Sequence, residues 1–427
     1  MIDYINRRYR PKSSEVVCEF YMEPGKGLTF EKAASNCALE SSIGTWTTIS
    51  TMNPSIAKKL KPTIFHLDKK NKIIKIAYPA DLFEAGNVPG ILSSIAGNIF
   101  GMKAVSNLKL LDIHFPKSII SKYRGPQFGI AGIRKMTKVK SRPFVGTIVK
   151  PKVGLTERQH AKVAYDAWIG GLDLVKDDEN LVSMSFNNFY RRMDATFRLR
   201  DKAEQETGEK KLYLANITAP VEEMKKRADY VKKQGGEYVM IDILTAGFSA
   251  LQEMRRYTQK LKLAIHAHRA MHGAMTRNPK HGISMLTIAK LARMIGVDTL
   301  HIGTASVGKM HGSRSEELSI EDEVEHPEIY EDYKTHVLEQ RWYGIRPVLA
   351  VASGGLSPLS VPPLIGLMGR NIVMQAGGGV HGHPEGTKAG GAAMRQAVDA
   401  VLKKNTLKEY AKSHPELQQA MNRWGKR

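Results

Sequence analysis

Cysteine is nearly absent. Only Cys18 and Cys37 occur in 427 residues, so no disulfide framework is expected and a reducing cytoplasm is the default compartment. Long apolar runs are missing too: no stretch approaches the roughly 18 residues of a membrane-spanning helix, and no membrane partner is expected. The opening segment, Met1 to Arg10, lacks an apolar core, so it is not expected to be a secretory signal. No linker rich in Pro, Gly or Ser and no low-complexity tract interrupts the chain. Acidic residues are in deficit: 42 Asp and Glu stand against 64 Lys and Arg, a formal charge of +22. That excess raises nucleic-acid binding as a role. Yet the basic residues form no tail and no block of five, and neither zinc-finger spacing nor an aromatic RNA-binding signature is present. Charge spread this evenly speaks for solubility and for steering of an anionic substrate, so no nucleic-acid partner is expected.

What is present is a core and a pattern. Apolar residues make up 42% of the chain, enough for a sizeable interior. The organisation changes near residue 125. Before it lie helical runs around Thr29 to Leu39 and Pro89 to Phe100, and a strand-like Lys72 to Tyr78. This mixture predicts an α+β N-terminal domain over residues 1–125. After it, short apolar strands recur, each followed by a longer amphipathic segment. They are Phe144 to Val149, Leu172 to Lys176, Leu212 to Ile217, Tyr238 to Leu244, Leu263 to His268, Thr299 to Gly303, Val348 to Ser353 and Ile372 to Ala376. Segments such as Thr156 to Ile169, Val221 to Gln234, Phe248 to Lys260 and Ile283 to Ile295 carry helical spacing. Eight strands alternating with helices over about 300 residues predict an α/β protein whose second domain, residues 126–427, is a (β/α)₈ TIM barrel.

In such a barrel chemistry gathers at the carboxyl ends of the strands. Polar residues here concentrate at those ends. The first strand runs into Lys150-Pro151-Lys152, the second into Lys176-Asp177-Asp178-Glu179, and the fourth includes Asp242. The fifth carries His266 and His268 and runs into Arg269. The sixth carries His301 and leads to Gly303, Thr304, Gly308 and Lys309. The seventh ends in Ser353-Gly354-Gly355 and the eighth leads to Gly377-Gly378-Gly379. Taken singly, each motif has a plainer reading: a charge run is usually a solvated face, and a glycine run a turn. Their common placement points to an enzyme.

The second strand end is the most telling. Residues two apart on a strand share a face, so Lys176 and Asp178 point together while Asp177 points away. Glu179 sits where the chain turns and can swing back toward the same point. Two carboxylates beside an amine suit a hard cation such as Mg²⁺, which wants oxygen ligands. A neutral amine could take up CO₂ as a carbamate and become an anionic oxygen ligand itself.

These motifs, in this order, resemble the large subunit of ribulose-bisphosphate carboxylase/oxygenase (RuBisCO) over nearly the whole chain. The runs Ala96 to Lys103 and Asn278 to Met285 are most similar to the archaeal form III or form II/III members. The resemblance implies a carboxylase joining CO₂ and water to ribulose 1,5-bisphosphate, giving two 3-phosphoglycerates. Oxygenation by O₂ would be a side reaction, and AMP salvage the setting. It also implies site roles. Lys176, activated by CO₂ as a carbamate, would hold Mg²⁺ with Asp178 and Glu179 and serve as base for the C3 proton. Lys150, aided by Lys152, would act as acid and base in later steps, and His268 would transfer protons near the diol. Lys309, on a mobile lid, would stabilise the incoming carboxylate. Arg269, His301 and Ser353 would hold one phosphate, and Gly354, Gly355, Gly377 and Gly378 the other. Glu40, Thr45, Trp46 and Asn98 would complete the site of a neighbouring subunit. The minimal unit is then a homodimer, or a higher oligomer of dimers, with no small subunit.

Two positions depart from the pattern: His311 follows the lid lysine where many relatives have Glu, and Ile148 stands where the plant-type enzyme has Thr. A rival within the same resemblance is a RuBisCO-like enolase or isomerase acting on a related sugar phosphate. Such proteins usually replace lid or phosphate residues, whereas Lys309, Arg269, Lys150 and Lys152 are all present here.

Overall fold

The structure is a computed structural model that describes residues 3–44, 47, 50–309 and 312–425. The chain divides into two compact units. The first comprises Met1–Gly125, Met271–Met294 and His326–Ile345; the second comprises Pro126–Ala270, Ile295–Glu325 and Arg346–Arg427.

In the first unit, a buried strand, Glu15–Pro24, pairs antiparallel with Ile73–Pro79 on one side and Val105–His114 on the other. Thr63–Asp68 extends one edge, and the short Gly282–Ile283 joins the other edge in parallel. The helix Phe30–Glu40 starts where the Thr29 hydroxyl accepts from Lys32 N–H at 3.2 Å, which satisfies a free helix-terminal donor. Asp112 gathers distant segments of this unit: it pairs with Lys290 Nζ at 2.7 Å and accepts from Leu338 N–H at 2.7 Å.

The second unit is a closed barrel of eight parallel strands in sequence order. They are Phe144–Ile148, Leu174–Lys176, Leu212–Asn216, Tyr238–Asp242, Ala264–His268, Thr299–His301, Leu349–Ser353 and Ile372–Gln375. Inward positions such as Phe144, Leu174, Leu212, Tyr238, Leu349 and Val373 fill its interior. A residue two places further along a strand points to the same side, so Lys176 and Met240 stand one layer above Leu174 and Tyr238. Helices follow the strands, among them Glu157–Ile169, Phe189–Thr207, Val221–Lys233, Phe248–Leu261 and Gly386–Leu402. Among the described residues no helix is long and apolar enough to cross a membrane.

All eight expected strands are present, with shorter ends. The sixth stops at His301, and Gly303 then takes φ +124°, which redirects the chain into the loop that carries Lys309. The fourth stops at Asp242, where Ile243–Ala246 turns helical. In the first unit, the expected helix from Pro89 to Phe100 is broken. Val88–Ile95 is helical, but Gly97 folds back so tightly that a Cβ there would lie 2.1 Å from the Ser93 carbonyl oxygen. The helix expected from Ile283 begins at Met285, because Gly282–Ile283 is taken up as a strand.

Candidate active site

The second strand ends by turning its side chains to opposite sides. Asp177 goes into the barrel wall. There it meets Arg192 at 3.3 Å and His160 at 3.1 Å, is hydrogen-bonded by the Tyr213 hydroxyl, and accepts from Asn216 N–H at 2.9 Å. Burial opposes its charge, but Arg192 and His160 overcome that and hold its carboxyl well below the usual range. Asn216 Nδ2 in turn donates to the Asp178 and Glu179 carbonyls at 3.3 and 3.2 Å. The backbone after Lys176 is therefore clamped, and Asp178 and Glu179 project from a rigid turn.

Lys176 is 1% exposed. Its ammonium donates to the Asp177 carbonyl at 2.9 Å, approaches Met240 Sδ at 3.6 Å and lies 3.8 Å from Glu179 Oε2. Burial lowers its pKa; Glu179, Asp178 and Asp242 pull the other way and lose. Two further lysines face the same carboxylates. Lys150 Nζ is 2.6 Å from Asp178 Oδ2, and Lys152 Nζ is 3.1 Å from Glu179 Oε1. Three amines thus converge on two acids. Among the described residues no group of three His, Cys, Asp or Glu side chains is gathered to hold a metal ion. A hard cation here needs a third anionic oxygen donor, and Lys176 is the group placed to become one. The donor set fits Mg²⁺ on that condition.

Histidines form the opposite wall. His268 Nδ1 lies 2.8 Å from Asp242 Oδ1 and 3.2 Å from Ala270 N–H, which orients the ring with Nε2 toward Glu179 Oε2, 3.6 Å away. His266 Nε2 and His301 Nε2 are 2.9 Å apart, and His266 Nδ1 meets the Thr299 hydroxyl at 2.8 Å. Burial drives both rings well below the ordinary histidine pKa, so both are neutral near pH 7. The Arg269 guanidinium has no hydrogen-bond partner among the described residues. Burial lowers it to about 10, against the pull of Glu317 and Glu316. It remains a cation free to take an anion.

The loop that carries Lys309 begins at Gly303. Thr304 N–H donates to Glu317 Oε2 at 3.0 Å and Gly308 N–H to Thr304 Oγ1 at 2.9 Å, closing a tight loop. Lys309 N–H donates to the Gly354 carbonyl at 2.9 Å. The aliphatic stem of Lys309 lies over Gly355, where a Cβ would come within 2.7 Å of it. Ser353, at the end of the seventh strand, is partly buried. Gly377 backs onto Lys150, with 3.2 Å between a Cβ built there and the lysine Cε. The N–H groups of Gly355 and Gly377 have no acceptor among the described residues, and Gly355 and Gly378 edge a cleft of about 320 Å³.

The second unit therefore brings together Lys150, Lys152, Lys176, Asp178, Glu179 and His268 in one cluster. His301 joins it through His268, their ring centroids 4.8 Å apart. Lys309, Gly354, Gly355 and Gly378 form a second group around the cleft. In the first unit Asn98 Nδ2 donates to Glu40 Oε1 at 3.4 Å, so these two also meet. Thr45, Trp46 and His311 lie outside the described residues. Two contributors went unassigned as site residues in the sequence. Asp242 orients His268, and its place at a strand end was the available signal. Glu317 anchors the Lys309 loop from a helix 13 residues downstream, and no local pattern marks it.

Family models match almost the whole chain. Residues 3–119 match the ribulose bisphosphate carboxylase large chain N-terminal domain, and residues 129–424 its catalytic domain. Ribulose bisphosphate carboxylase from Methanosarcina barkeri is 53% identical over 426 residues, covering 100% of this chain and 99% of that one. The solved octameric enzyme from Pyrococcus horikoshii OT3, in complex with sulfate ion, superimposes with a TM-score of 0.91 at 50% identity. It covers 99% of this chain and 96% of its own. The dimeric archaeal enzyme from Hyperthermus butylicus reaches a TM-score of 0.94 at 46% identity, covering 99% and 98%.

Proposed function

Because this chain belongs to the ribulose bisphosphate carboxylase large-chain family, we propose that it carboxylates ribulose 1,5-bisphosphate. The reaction joins the sugar to CO₂ and water and splits the product into two molecules of 3-phosphoglycerate, with oxygenation by O₂ as a side reaction. One observation supports this most directly: a buried lysine with a lowered pKa stands between two acids at a barrel-strand end.

Lys176 as its carbamate, with Asp178 and Glu179, would hold Mg²⁺. When bound, the ion supplies Lewis-acid polarisation of the sugar oxygens, which makes the C3 hydrogen acidic. The carbamate oxygen on Lys176 takes that proton, and CO₂ then adds at C2 of the resulting enediol. His268, its ring oriented by Asp242 at Nδ1, presents Nε2 to accept and return protons at the diol. Lys150 Nζ handles protons in the later steps, with Lys152 beside it. Lys309 places a positive charge where the new carboxylate forms. Arg269, His301 and Ser353 hold one phosphate, and the N–H groups of Gly355, Gly377 and Gly378 the other. Glu40 and Asn98, with Thr45 and Trp46, complete the site of a neighbouring subunit in a homodimer. Similarity to archaeal relatives supports a form III type and a setting in AMP salvage.

The test is incubation with labelled bicarbonate, Mg²⁺ and ribulose 1,5-bisphosphate. Acid-stable label is expected in 3-phosphoglycerate, and Lys176→Ala is expected to abolish it. Loss of the bisphosphate without label in the product would replace carboxylation by enolisation or isomerisation.

A further inference from the structure

We propose that the last described helix, Pro415–Trp424, supplies a phosphate contact: Arg423, with Trp424 beside it, forms the outer wall of the cleft edged by Lys309, Gly355 and Gly378. This rests on the carboxylase reading and adds a substrate-binding residue to it.

The cleft holds about 320 Å³, at the small end for ligand sites. Arg423 and Trp424 line it together with Lys309, Gly355, Gly378 and Gly379. No acidic side chain lines it among the described residues. Lys309, Arg423 and Ser357 are among its lining residues, and the N–H groups of Gly355, Gly378 and Gly379 there have no acceptor among the described residues. Two cationic lining residues, unpaired N–H groups and no lining carboxylate favour a phosphate dianion, and an arginine can grip one with two parallel hydrogen bonds.

The helix that carries Arg423 is anchored. Leu417 and Ala420 are buried. Leu417 N–H donates to Gln396 Oε1 at 3.0 Å, and Gln396 Nε2 donates to Glu416 Oε2 at 2.8 Å. His383 Nε2 meets the Glu416 carbonyl at 2.9 Å. Trp424 packs toward His383, their ring centroids 6.5 Å apart. The Arg423 guanidinium itself is exposed and has neither an ion pair nor a hydrogen bond among the described residues. A fixed helix thus delivers an uncommitted cation to the rim of an anion pocket.

The experiment is steady-state carboxylation by the Mg²⁺- and CO₂-activated enzyme, with inorganic phosphate as competitor. Arg423→Gln is expected to raise KM for ribulose 1,5-bisphosphate roughly tenfold, the factor for losing one charge-assisted hydrogen bond. The inhibition constant for phosphate should rise by a similar factor while kcat moves less, and Arg423→Lys should recover part of both. Unchanged KM and phosphate inhibition would overturn the proposal, and so would a fall in kcat alone. Titration of wild type and Arg423→Gln with inorganic phosphate, read by tryptophan fluorescence, needs no turnover. If the wild type binds phosphate more tightly than the variant yet incorporates no label, the phosphate contact stands and the carboxylase reading falls. If the two bind phosphate equally, or the wild type does not bind it, the contact falls whatever the activity.

Discussion

Lys176 is surrounded by groups that disagree about its proton. Burial disfavours the ammonium, whereas Glu179, Asp178 and Asp242 favour it, and burial prevails. The neutral amine is the form that captures CO₂, so its population sets the rate and extent of carbamate formation. Between the lowered folded pKa and the ordinary 10.5, the unfolded chain holds a proton that the native site does not. Native stability therefore rises with pH across that window. With dissolved CO₂ held constant, a ¹³C carbamate signal should rise with pH through a midpoint below 10.5. Glu179→Gln removes the nearest group favouring the ammonium, so its midpoint should move to lower pH. A midpoint that stays put, or moves up, would show that Glu179 does not govern this amine. The placement of Lys176, Asp177 and Asp178 was legible from strand alternation alone. The partners that hold Asp177 were not, because His160, Arg192 and Tyr213 reach it from a helix before it, a helix after it and the next strand.

At the level of elements, the barrel was readable because each strand is a short apolar run closed by polar residues, with helical spacing between runs. The first unit was harder. Of its longer strands only Ile73–Pro79 stood out, since Glu15–Pro24 is buried along most of its length and shows no alternation. Nor does local pattern reveal the recruitment of Met271–Met294 and His326–Ile345, which depends on contacts such as Asp112 with Lys290. Loops at the opposite end of the barrel from the site carry stability. Asp298, just before the sixth strand, accepts from Phe128 N–H at 2.6 Å, Gly129 N–H at 3.1 Å and Ile265 N–H at 3.0 Å. It also pairs with Arg255 at 3.1 Å, both side chains nearly fully buried. Asp298→Ala would leave three backbone donors unsatisfied and a buried arginine with only the neutral acceptors of Gln127, Leu263 and Gly296, so a loss of about 3–5 kcal/mol is expected. Urea unfolding should show a lower midpoint, while the KM of the remaining folded enzyme stays the same. A change within about 0.5 kcal/mol, the range of ordinary surface substitutions, would refute the assignment.

For the whole molecule, the proposed function divides the site between two copies: the lysines and acids of one chain, and Glu40 and Asn98 of its neighbour. Two chains each damaged in a different half can then rescue one another. Glu40→Ala spoils the proposed complementing segment, and Lys176→Ala spoils the proposed metal-holding cluster. In a mixed dimer one site receives both defects and the other receives neither. A preparation held to mixed dimers by selection on both tags should therefore show about half of the wild-type sites. Each variant alone should remain near zero. The measurement is carboxylation after the two variants are co-expressed and purified together through different tags, compared with the same variants mixed after separate purification. Recovery only on co-expression would place the two halves on different subunits. Absence of recovery from a purified mixed dimer would mean that each chain builds its site from its own two units.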